Sequence, residues 1–498
     1  MRIQFPTRIP LTKTLIFAVA LFCVQQMEHT SLTFSLLFFA FVVLGNFAFN
    51  AAGGFSRASG AYVFLYAMLM AVVGVVWKAV LGEPADSNLK VPVLLMALYA
   101  ASMGMLLLVM LVNHRLTAHL RSFASQMGMG ELNYTLAALG CFVGSVTLLF
   151  LDITFGAPPG SVLSLLNQVN QLMPVALILG TIGAMRSSGG RRSVDIISGA
   201  AILVTFLTGV VSFSKTAMLT PLACWLVAAC YTRFQLRRIH FLVLGAFAVF
   251  SFTVLPLISA GRNDVPPEGA NYAQRAQIVL NILSNLKAAR EKEQIADSFA
   301  FENSTLSNYF DTPQGFLQRL TIIPADDAFL NYTAQGNNIG YLPIVLDFEN
   351  FIPHFILPDK PATIGGNYYA HLIGGFLAPD DFTTGISFSP VSEAYQIDGW
   401  RGVCLLLPAV WLLLFFITDY ICGDLRESPW GLLVVVIFAH AAAESMVGGL
   451  IYMAGYGSLS LMVAIVFSTR VAPIIGALFY GREVVVSLSQ PRSATALL

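Results

Sequence analysis

The sequence predicts an all-α, polytopic integral membrane protein, on three observations. The 498-residue chain is 56% hydrophobic and 11% charged, with a mean hydropathy of +0.73, well above soluble domains. Apolar runs long enough to cross a hydrocarbon core of about 30 Å recur along its length. Basic residues gather in alternate connections instead of being spread evenly. Because charge is segregated by side, the formal net charge of +0 carries no information about a partner, and no nucleic-acid partner is expected.

About twelve spans are expected from run length. They cover 11–27, 32–50, 61–81, 91–112, 132–152, 161–185, 194–211, 217–231, 239–260, 402–421, 431–451 and 456–480, with 11–27 and 217–231 the shortest. Arg2–Lys13, Arg57, Arg115–Arg121, Arg186–Arg192, Arg233–Arg238, Arg426 and Arg482–Arg492 all fall on one side of this alternation. The other side offers little beyond Lys78, Lys90 and Lys215 in its short loops. The positive-inside rule makes the first set cytoplasmic, with both termini inside. The chain then divides into three parts: 1–260 with helices one to nine, 261–400 as an external (periplasmic) loop domain, and 401–498 with helices ten to twelve and a cytoplasmic C-terminal tail.

Arg2, Arg8 and Lys13 precede the first apolar stretch, as in a secretion signal. That stretch runs into Gln25-Gln26-Met27-Glu28-His29 and no small-residue cleavage site, so an uncleaved first helix is expected. The six cysteines lie in or beside expected helices, which predicts neither a disulfide framework nor a cysteine metal site. No repeat of solenoid or propeller length is present, and the two halves show no match of the inverted-repeat kind.

The long loop has its own texture. Residues 272–298 place Ile278, Ile282, Leu283 and Leu286 at helical spacing, which predicts one amphipathic helix on the bundle or at the lipid surface. Residues 321–398 are rich in Gly, Pro, Asn, Asp and aromatics, which favours loops and short helices over a sheet. Long ordered loops between membrane helices usually carry function, the alternative being a passive external decoration.

Three polar groups qualify as sites. In "SFSKT", Lys215 sits beside Ser212, Ser214 and Thr216 in a tight turn, where an ammonium and hydroxyls suit a phosphate. A snorkelling interfacial lysine explains the same turn. Asn167, Gln168, Asn170 and Gln171 before Pro174, and the His440–Glu444 pair, need partners inside hydrocarbon and so are expected to face the bundle interior. They read as a functional site or as hydrogen-bonded braces. The loop carries Arg262, Arg275, Arg319, His354, Lys360, His371, Glu393, Asp398 and Arg401. Arg262 and Arg401 stand where its flanking helices leave and re-enter the membrane, a level that suits an anionic headgroup.

The order "FIPHFILPDKP" (351–361), "GGNYYAH" (365–371), "TTG" (383–385) and "EAYQIDGWRGV" (393–403) resembles the Wzy-type polymerases of oligosaccharide repeat units. The matching positions are Ile352-Pro353, Pro358, Lys360-Pro361, Gly366-Asn367, Glu393, Tyr395, Gly399-Trp400 and Gly402, with Lys215 in the basic place of the family's serine-and-arginine hairpin. Departures are His354 and Lys215 at arginine positions, and Ile397-Asp398 for Asn-Phe.

The resemblance implies a GT-C-like, metal- and cofactor-independent inverting glycosyltransferase of the bacterial inner membrane. It implies undecaprenyl-diphosphate-linked oligosaccharides as substrates, and a chain-length regulator and a flippase as partners. Lys215, Arg262, Arg319, Lys360, Arg401 and Tyr395 would bind substrate and its departing diphosphate. Glu393, His354 or His371 would take the acceptor proton. Such a donor is already activated, and no glycine-rich nucleotide loop is found. Rival readings are an O-antigen-ligase-type transferase, a transporter or flippase of lipid-linked sugars, and a non-catalytic subunit of a polysaccharide synthesis complex.

Overall fold

The computed structural model describes residues 2–480, apart from 128–131, 157–160, 267–270, 304–307, 313, 315–316, 353–355, 358–364, 375–376 and 378–384. Every regular element among them is helical. Eight helical stretches are long and apolar enough to cross a membrane, and four shorter apolar helices stand with them.

In chain order the bundle comprises α1 (Leu11–Met27), α2 (Leu32–Ala51), α3 (Ala58–Leu81), α4 (Pro92–Thr117) and α5 (Tyr134–Phe155). The next expected span is broken into α6 (Val162–Gln168) and α7 (Leu172–Ser187). Then come α8 (Ile196–Val211), α9 (Lys215–Tyr231) and α10 (Arg238–Ala260). The loop region folds as α11 (Tyr272–Ser284), α12 (Leu286–Asn303), α13 (Ile323–Ala334), α14 (Leu342–Glu349) and α15 (Gly366–Ile373). The chain closes with α16 (Pro390–Arg401), a π-turn (Gly402–Leu406), α17 (Leu407–Cys422), α18 (Trp430–Glu444) and α19 (Val447–Tyr480).

The centre of the bundle is aromatic. Tyr62, Tyr66, Trp411, Phe415 and Phe438 are buried and meet mostly edge to face, the arrangement that ring quadrupoles favour. The two hydroxyls are served inside it, Tyr62 by Trp411 Nε1 at 3.0 Å and Tyr66 by Ser102 Oγ at 2.8 Å. By contrast α10 turns Phe241, Leu242, Val243 and Val249 outward, the apolar surface that a bilayer covers.

Hydrogen bonds fix which connections share an end. Phe55 N reaches Pro6 O, Ile3 N reaches Phe234 O, Leu425 N reaches Ser56 O, and Arg57 donates to Thr117 Oγ1. The basic segments of the N-terminal arm, 57, 115–121, 233–238 and 426 therefore gather at one end of the bundle. Beside them lies a buried acid that sequence reasoning passed over. Asp419 accepts from Ser59 Oγ at 2.6 Å, Asn113 Nδ2 at 2.8 Å and Ser59 N at 3.2 Å, bracing α3, α4 and α17 together.

At the opposite, loop-bearing end Lys78 is fully buried. It pairs with Glu83 at 2.7 Å, donates to Ser87 Oγ at 2.7 Å and lies 5.0 Å from the Tyr309 ring. Tyr309 Oη donates to Ala85 O, so the connection after α3 is tied to the loop region. Two adjacent aspartates of α13 continue the lacing. Asp327 accepts from Lys90 N and Val91 N at 2.8 Å each, satisfying free donors at the start of α4. Asp326 serves the start of α16.

Several expectations change. The amphipathic segment 272–298 is two helices, interrupted at Asn285, with Val279 inward and Leu280, Leu283 and Leu286 exposed. The expected span 431–451 ends at Glu444; Ser445 has extended backbone, and α19 starts at Val447. The amides 167–171 are not buried within a helix but mark the α6–α7 break. There Asn167 donates to Asp152, Asn170 accepts from Leu172 N, and exposed Gln168 donates to Tyr452 Oη at 3.0 Å. A helix break frees backbone donors and acceptors, and short amides next to it satisfy them.

Candidate functional site

The site grows from α16. Ser389 caps it, its Oγ accepting from Ser392 N, and Pro390 occupies the first turn where no amide donor is needed. Asp326 then fixes this end: Oδ1 accepts from Ser389 N at 2.9 Å and Ser392 Oγ at 2.8 Å, while Oδ2 accepts from Tyr99 Oη at 2.6 Å. Burial raises the proton affinity of Asp326 above the usual carboxylate range, against the pull of these hydrogen bonds.

Glu393 is the next residue after Ser392. It belongs to this buried helix and not to an open loop, and only 1% of its surface is exposed. Its Oε1 accepts from Tyr369 Oη at 3.0 Å, and its Oε2 faces Gly448 N at 3.4 Å. Tyr369 comes from α15 and is wedged between Phe329 and Phe388, whose ring centroids lie 4.7 and 6.1 Å away. Burial first, and the neighbouring Glu393 second, push the Tyr369 phenol far above its ordinary range, so it is a donor at any working pH.

After Ile397 the chain turns sharply. Gly399 has φ +55 and ψ −137, left-handed backbone that favours glycine, and a Cβ at Gly402 would fall 1.8 Å from Ala394 O. The glycines of the "DGWRG" stretch therefore fold the next helix back against α16. Tyr395 meets Trp400 edge-on at 6.3 Å, Asp398 accepts from Tyr341 Oη at 2.7 Å, and Arg401 is exposed beside them.

Helix α14 forms the other wall. It shows Leu342, Val345 and Phe348 to the outside and turns Asp347 inward against Gly448. A Cβ at Gly448 would lie 2.2 Å from Asp347 Oδ2, so the carboxylate fills the space a side chain would take. Two turns on, Gly455 gives the same room to the Phe351 ring, which stacks on Tyr456 at 5.4 Å while Tyr456 Oη donates to Phe351 O at 2.8 Å. This seats the first residue of the proline-rich stretch on α19. Burial raises Asp347 to about 6. Glu444, at the end of α18, accepts from Ser387 Oγ at 3.4 Å on the same side of the break.

The remaining expected residues divide. Lys215 opens α9 behind its cap Ser214, and Arg262 reaches Phe213 O in the same hairpin at 3.5 Å. Both lie beside a packing cluster of Val210, Phe213, Met218, Leu255, Ile258 and Val279. Phe329, Tyr369 and Phe388 form a different cluster under Glu393. His371 lies two residues past Tyr369 on α15, so it leaves the helix on another face. His354 and Lys360 lie outside the described residues, as do the side chains of Arg319 and His440.

Sequence reasoning missed Asp326, Asp347, Tyr369 and Gly448. The signal for Asp347 was present: of the two carboxylates in "LPIVLDFEN", Asp347 and Glu349, Asp347 stands opposite a helical stripe of Leu342, Val345 and Phe348. Chemically, the arrangement offers a buried carboxylate held by a phenol and a backbone amide, and a second carboxylate beside it. Among the described residues, no three His, Cys, Asp or Glu side chains gather to hold a metal. No protein-family model, curated protein or solved structure matches this chain.

Proposed function

We propose that this protein is a membrane-embedded glycosyltransferase that polymerises undecaprenyl-diphosphate-linked oligosaccharide repeat units into a surface polysaccharide. The observation that carries the reading is the buried setting of Glu393, the carboxylate of the stretch that resembles the repeat-unit polymerases. In this reading Glu393 takes the proton from the acceptor sugar hydroxyl as that oxygen attacks the anomeric carbon of the donor. The bond from that carbon to the lipid diphosphate breaks, and Lys215, Arg262 and Arg401 stabilise the departing charge. About twelve spans, both termini inside and a periplasmic site complete the proposal. A ligase-type acceptor uses the same chemistry.

A second reading, a transporter of the same lipid-linked sugars, has one observation in its favour. One span is discontinuous, α6–α7, and Gln168 at its break bonds Tyr452 near the start of α19.

The test is a deletion strain whose lipid-linked glycans and surface polysaccharide are both sized. Single lipid-linked repeats accumulating without long chains support the polymerase. Long chains that stay on the carrier lipid identify a ligase, and repeats trapped on the cytoplasmic face identify a transporter. An unchanged profile refutes all three.

A further inference from the structure

Glu393 and Asp347 arrive at the same backbone from different elements. Glu393 is carried on α16, whose start is pinned by Asp326, and its Oε2 faces the Gly448 amide at 3.4 Å. Asp347 is carried on α14, which is seated on α19 through Phe351 and Tyr456. Its two carboxylate oxygens would lie 2.2 and 2.9 Å from a Cβ at Gly448. The two acids are thus separated by about one residue's width of α19, and a glycine makes that spacing available.

The groups around them do not dilute this proximity. Tyr369 from α15 is a neutral donor to Glu393. Glu444 at the end of α18 is a third acid on the same side of the break, and Asp326 from α13 is the acid at the start of α16. Tyr452 and Tyr456 on α19 are occupied by Gln168 and Phe351 O. Two carboxylates this close, out of bulk water, titrate as a pair and not as independent groups.

We propose that Asp347 is a positioning residue for Glu393: the two carboxylates flanking Gly448 share a single proton, which Asp347 exchanges with the water outside. This deepens the polymerase reading and rests on it for the identity of the incoming proton. When the acceptor O–H bond breaks and the proton goes to Glu393, the proton already held by the pair leaves from Asp347 to water. The proton on Glu393 then passes to the emptied Asp347 carboxylate, so the pair again holds one proton and Glu393 is restored as an acceptor without opening the buried site. Asp347 is half-buried while Glu393 is closed off, which sets the direction of exchange. Burial holds Asp347 near the pH at which such exchange is facile.

The test reads Asp347 directly and needs no substrate. Carbodiimides react with protonated carboxyl groups, so labelling of Asp347 in the full chain, in nanodiscs, is measured by peptide mass spectrometry across pH. In Glu393→Gln, which keeps the shape and removes the facing charge, the Asp347 profile moves to lower pH by about one unit. Gly448→Ala, which leaves both acids and wedges them apart, moves it the same way by less. An Asp347 profile unmoved in both variants overturns the proposal. If the profile moves but the deletion strain makes normal polysaccharide, the coupling stands and the polymerase reading falls.

Discussion

Asp326 is the residue on which the geometry of the site hangs, and its replacement has a calculable outcome. Its carboxylate is fully buried and accepts three hydrogen bonds, from Tyr99, Ser389 and Ser392. Asp326→Asn keeps one oxygen for Ser389 N and Ser392 Oγ, and the Tyr99 hydroxyl can rotate to accept from the new amide. That exchange costs about 1 kcal/mol, the worth of one ordinary hydrogen bond. Asp326→Ala leaves Tyr99 Oη and Ser389 N unpaired in a dry environment, while Ser392 Oγ keeps Ser389 O, and the analogous loss of a buried charged partner costs roughly 3–5 kcal/mol. The first turn of α16 absorbs this by opening, since Ser389 and Ser392 lose their anchor. An opening made easier by about 3 kcal/mol raises local hydrogen exchange by about 100-fold. Peptide-resolved exchange over 386–394, measured in nanodiscs, is the assay. If the alanine variant exchanges no faster than wild type, or the asparagine variant is as open as alanine, the account of Asp326 as an anchor is wrong.

Three further outcomes are expected. Asp347 has a raised folded-state pKa, so the folded chain binds more protons than the unfolded one between the ordinary value of 3.8 and about 6. Its burial penalty is therefore absent below that window and fully present above it. Asp347→Asn matches wild type in thermal stability below about pH 4 and exceeds it above about pH 6, as thermal scans in detergent across pH will show. Gly455→Val drives a side chain into the space of the Phe351 ring, where even a Cβ would stand 2.1 Å from Cε1. It displaces the start of the proline-rich stretch and exposes 348–352 to limited proteolysis, while cleavage at the Arg186–Arg192 connection stays unchanged. Under the proposed polymerase function, Lys215→Ala and Arg262→Ala each lower polysaccharide formation by about 10- to 100-fold and leave the melting temperature within a few degrees, because removing one charge stabiliser would raise the barrier by a few kcal/mol. Radiolabelled sugar incorporation into membranes measures this, and full incorporation in both variants removes the hairpin from the mechanism.

The sequence by itself determined the class and most of the framework. Long apolar runs can only be helices when no water serves the backbone, so the positions of most bundle helices are set by composition, as the long helices from α2 to α5 illustrate. Alternation of basic segments likewise anticipated that Arg57, Arg115–Arg121 and Arg426 gather at one end. Glu393 was legible because it stands in an ordered string of motif residues. Its burial was not, because a carboxylate in a polar, glycine-rich stretch reads as loop until Asp326 and the turn at Gly399 are seen to fold it inward.

Only the tertiary structure decided the rest. The turn at Ser445–Met446, which folds α19 back along α18 so that Trp430 meets Ser468, is invisible in an apolar run, since hydropathy does not report where the backbone reverses. Asp347, Tyr369 and Gly448 stand on three separate helices, and nothing local in "LPIVLDFEN" or "NYYAH" says that they meet. They meet because glycines on α19 admit α14 at close range, and because ring packing by Phe329 and Phe388 aims Tyr369 at Glu393. Periodicity records which face of each helix is apolar; which acids share one peptide group is set by the packing of elements distant in sequence.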